Sequence, residues 1–188
     1  DNDPEWIALD LLSQAEHDES AQSILITTSQ KLADLVEKEI EKILLSLGRR
    51  DIAGPSWNNF GTIITVPTLE VAADLSNKIA PEHLELCVAK PKELLKKISN
   101  AGAVFMGYWT PEAVGDYIGG SNHVLPTARS ARFSSGLSVM DFIKRTTTTF
   151  VSQEALRAIG PSIETLAACE GLEAHGLSVT SRLKKLNR

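Results

Sequence analysis

Cysteine is scarce in this 188-residue chain: there are two, Cys87 and Cys169, far apart and in no spacing that suits a metal site or a redox pair. One conceivable bridge in a chain this long is weak ground for secretion, and the reading is two reduced, mostly buried thiols in a reducing compartment. Long apolar runs are absent too. The longest have four or five residues, far short of the roughly 20 that cross a bilayer. The first residues are acidic and include Pro4 and Trp6, so no basic-then-apolar signal peptide opens the chain. With 19 Lys+Arg against 24 Asp+Glu, the net charge is −5 and no basic cluster forms, which leaves no electrostatic handle for nucleic acid. Neither GxxxxGK[ST] nor a GxGxxG after a strand occurs. No internal repeat or low-complexity segment is present. What is present is an ordinary globular balance, 43% hydrophobic and 23% charged.

Asp3-Pro4-Glu5 reads as a helix start, with apolar positions from Trp6 to Ala15 and an end near His17. Ser23–Thr27, Thr62–Val66, Leu84–Ala89 and Ala103–Gly107 read as short strands. Helices are predicted from Ser29 to a cap at Gly48, from Thr68 to Ala80, and from Pro91 to Asn100; residues 49–60, with Gly54-Pro55 and Asn58-Asn59, read as a loop. Strands alternating with helices favour parallel pairing through helical crossovers. The fold class expected is α/β: a partial doubly wound, Rossmann-like, mostly parallel sheet with a C-terminal helical appendage for dimerisation. The α/β domain is placed at 1–135 and the appendage at 136–188. Residues 108–136 lack periodicity and hold several glycines, the style of a functional loop. Helices then follow at Ser152–Ile159, Pro161–Glu170 and Glu173–Leu186.

Four histidines carry most of the chemical interest. Gln14 and His17 share one helix face, which suits either a metal chelate or two polar residues at a wet helix end. Glu82-His83 lies between a helix and a strand, and it reads equally as a general base with a proton relay or as a solvent-facing turn. Gly115-Asp116-Tyr117 and Gly119-Gly120-Ser121-Asn122-His123 bring a carboxylate, an imidazole and permissive glycines into one short stretch, the strongest local hint of a site. Glu170 and His175 would diverge by about 140° on one continuous helix, so convergence on a ligand requires a break near Gly171.

Taken together, these segments resemble the histidinol dehydrogenase family. The resemblance is carried by Asp10-Leu11-Leu12-Ser13-Gln14-Ala15-Glu16-His17, by Ala80-Pro81-Glu82-His83-Leu84-Glu85, by Gly115-Asp116-Tyr117 through Ser121-Asn122-His123-Val124-Leu125-Pro126, and by Ile163-Glu164-Thr165-Leu166-Ala167-Ala168 leading to Glu173-Ala174-His175. It implies oxidation of L-histidinol to L-histidine through an aldehyde, with two hydrides passed in turn to NAD+. It also implies one Zn2+ per site held by Gln14, His17, Asp116 and His175. His83 would serve as base and Glu82 would activate water at the aldehyde stage. His83, Asp116, His123, Glu170 and His175 would contact substrate.

The resemblance further implies a homodimer in which His175 and Glu170 reach the other subunit's site, and a location in the bacterial cytoplasm or the plant plastid. No residue here is assigned to NAD+, because the match is to the C-terminal portion of a longer family. The chain is therefore expected to be a fragment that lacks most of the NAD+ contacts and is inactive alone. The alternative is a truncated, non-catalytic dimeric module that binds zinc or an imidazole compound. A zinc hydrolase is a weaker third reading, since no HExxH-type spacing occurs.

Overall fold

Helix α1 (Pro4–Ala15) begins where the sequence says it should. Asp3 is its N-cap, with the carboxylate accepting the Glu5 N–H at 2.9 Å, and Pro4 occupies the first turn where no backbone donor is needed. The structure, a computed structural model, describes residues 2–186. They form two compact units, Asp1–Phe142 and Ile143–Arg188.

In the first unit β1 (Ile24–Thr27) is followed by α2 (Gln30–Leu44), α3 (Arg50–Phe60) and β2 (Thr62–Thr65). Then come α4 (Leu69–Ile79), β3 (His83–Leu86), α5 (Pro91–Leu95), β4 (Ala103–Met106) and α6 (Glu112–Tyr117). Two single-turn 3-10 helices, Ser130–Arg132 and Val139–Phe142, complete it. Strand β1 pairs parallel with β2, Ile24 opposite Thr62, and β3 pairs parallel with β4, His83 opposite Ala103. Each pair is joined by helical crossovers, as parallel strands require. The α/β expectation thus holds in coarse form: the strands make two separate parallel pairs, not one continuous sheet.

The core packs α1 against α2 and α3. Ala8, Leu12, Ala15, Val36, Ile40 and Ala53 are fully buried or nearly so. Burial of side chains such as Leu12 and Ile40 contributes about 2 kcal/mol each. Serine hydroxyls fix the joints: Ser23 Oγ donates to Leu11 O at 2.7 Å, and Ser56 Oγ donates to Ala21 O at 2.9 Å. Ser29 and Thr68 cap α2 and α4 with their hydroxyls, as their positions in the sequence predict.

Several expected boundaries are corrected. Residues 50–60 are helix α3 and not loop, even with Pro55 inside. Ala53 is fully buried and Ser56 is 1% exposed, so tertiary packing outweighs the local cost of proline. Helix α2 stops at Leu44, before Gly48. Strand β3 begins at His83 and ends at Leu86, and the expected functional loop contains the short helix α6.

In the second unit α7 (Gln153–Cys169) runs unbroken through Gly160-Pro161, where the sequence suggested two helices. Gly160 is buried against α8 (Glu173–Leu186): a Cβ there would stand 2.8 Å from Leu183 Cδ1. Gly171 ends α7 at φ 71°, with Leu172 N–H donating to Ala167 O and Gly171 N–H to Ala168 O, a Schellman turn. Among the described residues no helix is long and apolar enough to cross a membrane.

Candidate active site

The site residues of the first unit come from three places. Helix α4 is closed by its C-cap Ala80, which adopts a left-handed conformation (φ 53°) and turns the chain into Pro81-Glu82-His83. His83 opens β3, whose neighbour β4 supplies Phe105. The His83 and Phe105 ring centres lie 6.0 Å apart, so the imidazole stands over an aromatic wall. Helix α6 carries Glu112, Gly115 and Asp116, and it approaches Phe105 so closely that a Cβ on Gly115 would sit 2.6 Å from Cε1. Glycine is required there by space.

This packing brings side chains together that are distant in sequence. His83 Nδ1 is 3.3 Å from Glu112 Oε1, and His83 Nε2 is 4.0 Å from Asp116 Oδ1. His123 Nδ1 is 2.9 Å from Asp116 Oδ1, and its ring is stacked with that of His83 at a centroid distance of 6.2 Å. His83, Glu112 and Asp116 side chains are only 11%, 10% and 15% exposed, whereas His123 is largely exposed. His83 Nε2 is buried with no hydrogen-bond partner. An orphaned imidazole nitrogen of this kind is an open acceptor or metal-ligand position.

Two groups of possible ligand atoms fall within 4.8 Å of one another: His83, Asp116 and His123, and His17, Glu112 and Asp116. Asp116 belongs to both. Imidazole nitrogens with carboxylate oxygens suit zinc or another borderline divalent ion. His17 follows the end of α1, and Gln14 precedes it by three residues on that helix. Glu82 lies at the entry to β3, where its carbonyl accepts the Ala103 N–H at 2.8 Å. Glu170 caps α7 and His175 lies in the first turns of α8, both in the second unit.

Burial governs the electrostatics. It pushes the His83 imidazole below its ordinary value, against the pull of the Glu82 and Asp116 charges. It raises Glu112 to about 7, with help from the negative Asp116 and Glu82. Behind these groups lies a second acidic pair. Asp10 of α1 and Glu85 of β3 are close enough to interact, and burial followed by the Asp10 charge lifts Glu85 to about 8. Burial raises Asp10 as well. Glu85 Oε1 also accepts the Glu112 N–H at 2.8 Å, which anchors the start of α6. Cys87 beside them is pushed up to about 12 by burial and by the Glu85 and Asp10 charges.

Glu112, Glu85 and Asp10 were not singled out from sequence. For Glu112 a signal existed: it stands four residues before Asp116 on a segment opened by Pro111, the spacing that puts two carboxylates on one helix face. Asp10 and Glu85 carry no such signal, because they lie on separate elements, α1 and β3, and approach only across the fold.

The fold and site define an α/β protein with a half-buried cluster of imidazoles and carboxylates fit for acid–base work and for holding a metal ion. A sequence profile described as histidinol dehydrogenase matches residues 1–183. The histidinol dehydrogenase of Ruegeria pomeroyi is 65% identical over 187 residues, covering 100% of this chain and 43% of the relative. Histidinol dehydrogenase 1 of Trichormus variabilis is 57% identical over 186 residues, 99% of this chain and 43% of the relative. A crystal structure of histidinol dehydrogenase from Elizabethkingia anophelis superposes with a TM-score of 0.90 at 40% identity, over 100% of this chain and 43% of that one. The chain belongs to the histidinol dehydrogenase family and spans about 43% of the length of these relatives.

Proposed function

We propose that this chain carries the metal-binding and acid–base part of a site that oxidises L-histidinol to L-histidine, with NAD+ as the hydride acceptor. The observation that carries the reading is His83: a buried imidazole, shifted toward its neutral form, whose Nε2 has no partner and faces Asp116. A neutral imidazole with a free nitrogen is what a general base needs near neutral pH. In this reading His83 Nε2 takes the proton of the substrate hydroxyl, and takes one again at the aldehyde stage. Glu82, adjacent in sequence, activates the water that adds to the aldehyde. His123, stacked beside His83, contacts the substrate.

The donor set fits a zinc ion. His17 and Asp116 lie in one group of converging ligand atoms, Gln14 is three residues from His17, and the partner subunit's His175 completes the set in a homodimer. Zinc, when bound, supplies a Lewis acid that fixes the amino and imidazole nitrogens of the substrate. The partner subunit's Glu170 would pair with the substrate ammonium. A mixed dimer of His175→Ala and Asp116→Ala subunits checks the sharing: one intact zinc site supports it, and two defective sites refute it.

Calorimetric titration of L-histidinol into the zinc-loaded protein and into the chelated protein tests the reading as a whole. Zinc-dependent binding that is lost in Asp116→Ala supports it. Absence of binding in both states refutes the assignment of a substrate site to this chain.

A further inference from the structure

We propose that Glu112 is a positioning residue for His83: its carboxylate accepts the Nδ1–H, and so holds the imidazole in the tautomer whose Nε2 is bare and turned toward Asp116. This deepens the reading above and rests on His83 being its base.

The two nitrogens of His83 have unlike surroundings. Nδ1 faces Glu112 Oε1 at 3.3 Å, just beyond ordinary hydrogen-bond length, in a place where both side chains are about nine-tenths buried. Such contacts at acid–base sites often tighten only when substrate is bound. Nε2 is buried without a donor or acceptor of its own. The tautomer of a histidine is set by the hydrogen bond its other nitrogen makes, and Glu112, once ionised above about 7, can only accept. With the proton on Nδ1, both nitrogens are accounted for: one donates to Glu112, and the other keeps its lone pair for a substrate proton. The opposite tautomer would leave the nearer carboxylate beside a bare Nδ1 and aim an N–H toward Asp116 Oδ1, which at 4.0 Å is beyond hydrogen-bond reach.

Glu112 is itself fixed from behind. Its backbone N–H donates to Glu85 Oε1 at 2.8 Å, and Glu85 in turn neighbours Asp10. The residue before it, Pro111, offers no side-chain cap to α6, so Glu85 supplies that role from the neighbouring strand. The carboxylate that faces His83 therefore sits on a backbone tied to β3, the strand that His83 begins.

The test is nuclear magnetic resonance on the 188-residue chain labelled with 15N-histidine, free of metal and substrate, at about pH 9 where the imidazole is neutral. The chain has 4 histidines, and His83→Gln identifies the signals of interest. We expect a protonated Nδ1 and a bare Nε2 for His83 in the parent chain. In Glu112→Ala the ratio should move about tenfold or more toward the Nε2-protonated form, the scale of a lost charge-assisted hydrogen bond. Glu112→Asp should restore part of it. A parent His83 protonated on Nε2 overturns the proposal without any need for a variant, and so does an unchanged ratio in a folded Glu112→Ala. Because substrate and metal are absent, failure of histidinol to bind would refute the functional reading and leave the tautomer result intact.

Discussion

Replacing Glu85 with glutamine should make the first unit more stable in alkaline solution than the parent, and should flatten its dependence on pH. Glu85 is held at about 8 in the folded chain against an ordinary 4.5. The folded state therefore binds a proton that the unfolded state releases between those values. The sign follows from linkage: where the native state holds more protons, stability falls as pH rises. The contribution of the protonated carboxyl is complete below about 4.5, and it is lost progressively until Glu85 ionises in the folded chain as well. The full shift corresponds to about 5 kcal/mol. Partial exposure of Glu85 and the sharing of its proton with Asp10 bring the expected effect to about 2 kcal/mol. In Glu85→Gln the amide can donate to Asp10 while its carbonyl still accepts the Glu112 N–H, so the geometry survives without the ionisation. Urea unfolding followed by tryptophan fluorescence is the assay, since Trp6, Trp57 and Trp109 all lie in the first unit. At about pH 5 the two proteins should be nearly equal, and at about pH 9 the variant should be ahead by about 2 kcal/mol. A parallel decline in both proteins would refute the reasoning, because the slope would then arise elsewhere.

Other perturbations have equally definite outcomes. Leu12→Ala should cost about 3 kcal/mol in urea unfolding, because Leu12 is 1% exposed at the centre of the α1–α2–α3 core. Asp116→Asn should weaken zinc binding, measured by competition with a chromophoric chelator, more than either His17→Ala or His123→Ala, because Asp116 belongs to both ligand groups. Alkylation of the folded chain at about pH 8 should modify the exposed Cys169 well before Cys87, whose thiol is held near 12, and peptide mass spectrometry would show the order.

Much of this arrangement was legible in the sequence because it is written locally. The four strands showed as short apolar runs, and Asp3, Ser29, Thr68 and Ser152 each cap the helix they precede. Helix α3 was not legible, because Gly54-Pro55 and Asn58-Asn59 argue for a loop. Only burial of Ala53 and Ser56 against distant chain decides the matter. The continuity of α7 was hidden for a like reason, since Gly160 reads as a break until α8 is laid on it. At the site, Asp116 and His123 could be suspected together from their spacing. The meeting of His83 with Glu112 is set by how α6 lies against β3 and β4, which no short window of sequence contains.

Phe105 gives that arrangement a historical consequence. One edge of its ring leaves no room for a methyl on Gly115, and its ring also backs the His83 imidazole. Helix spacing and floor of the site are therefore one dimension, shared between two residues ten apart in the chain. Neither can drift alone: Gly115→Ala must displace the ring that backs the imidazole, and a smaller residue in place of Phe105 removes the floor. Descendants of this chain should change the two positions together or not at all, keeping their combined volume. Gly115→Ala alone should cost about 1–3 kcal/mol, and pairing it with Phe105→Leu should recover part of that loss.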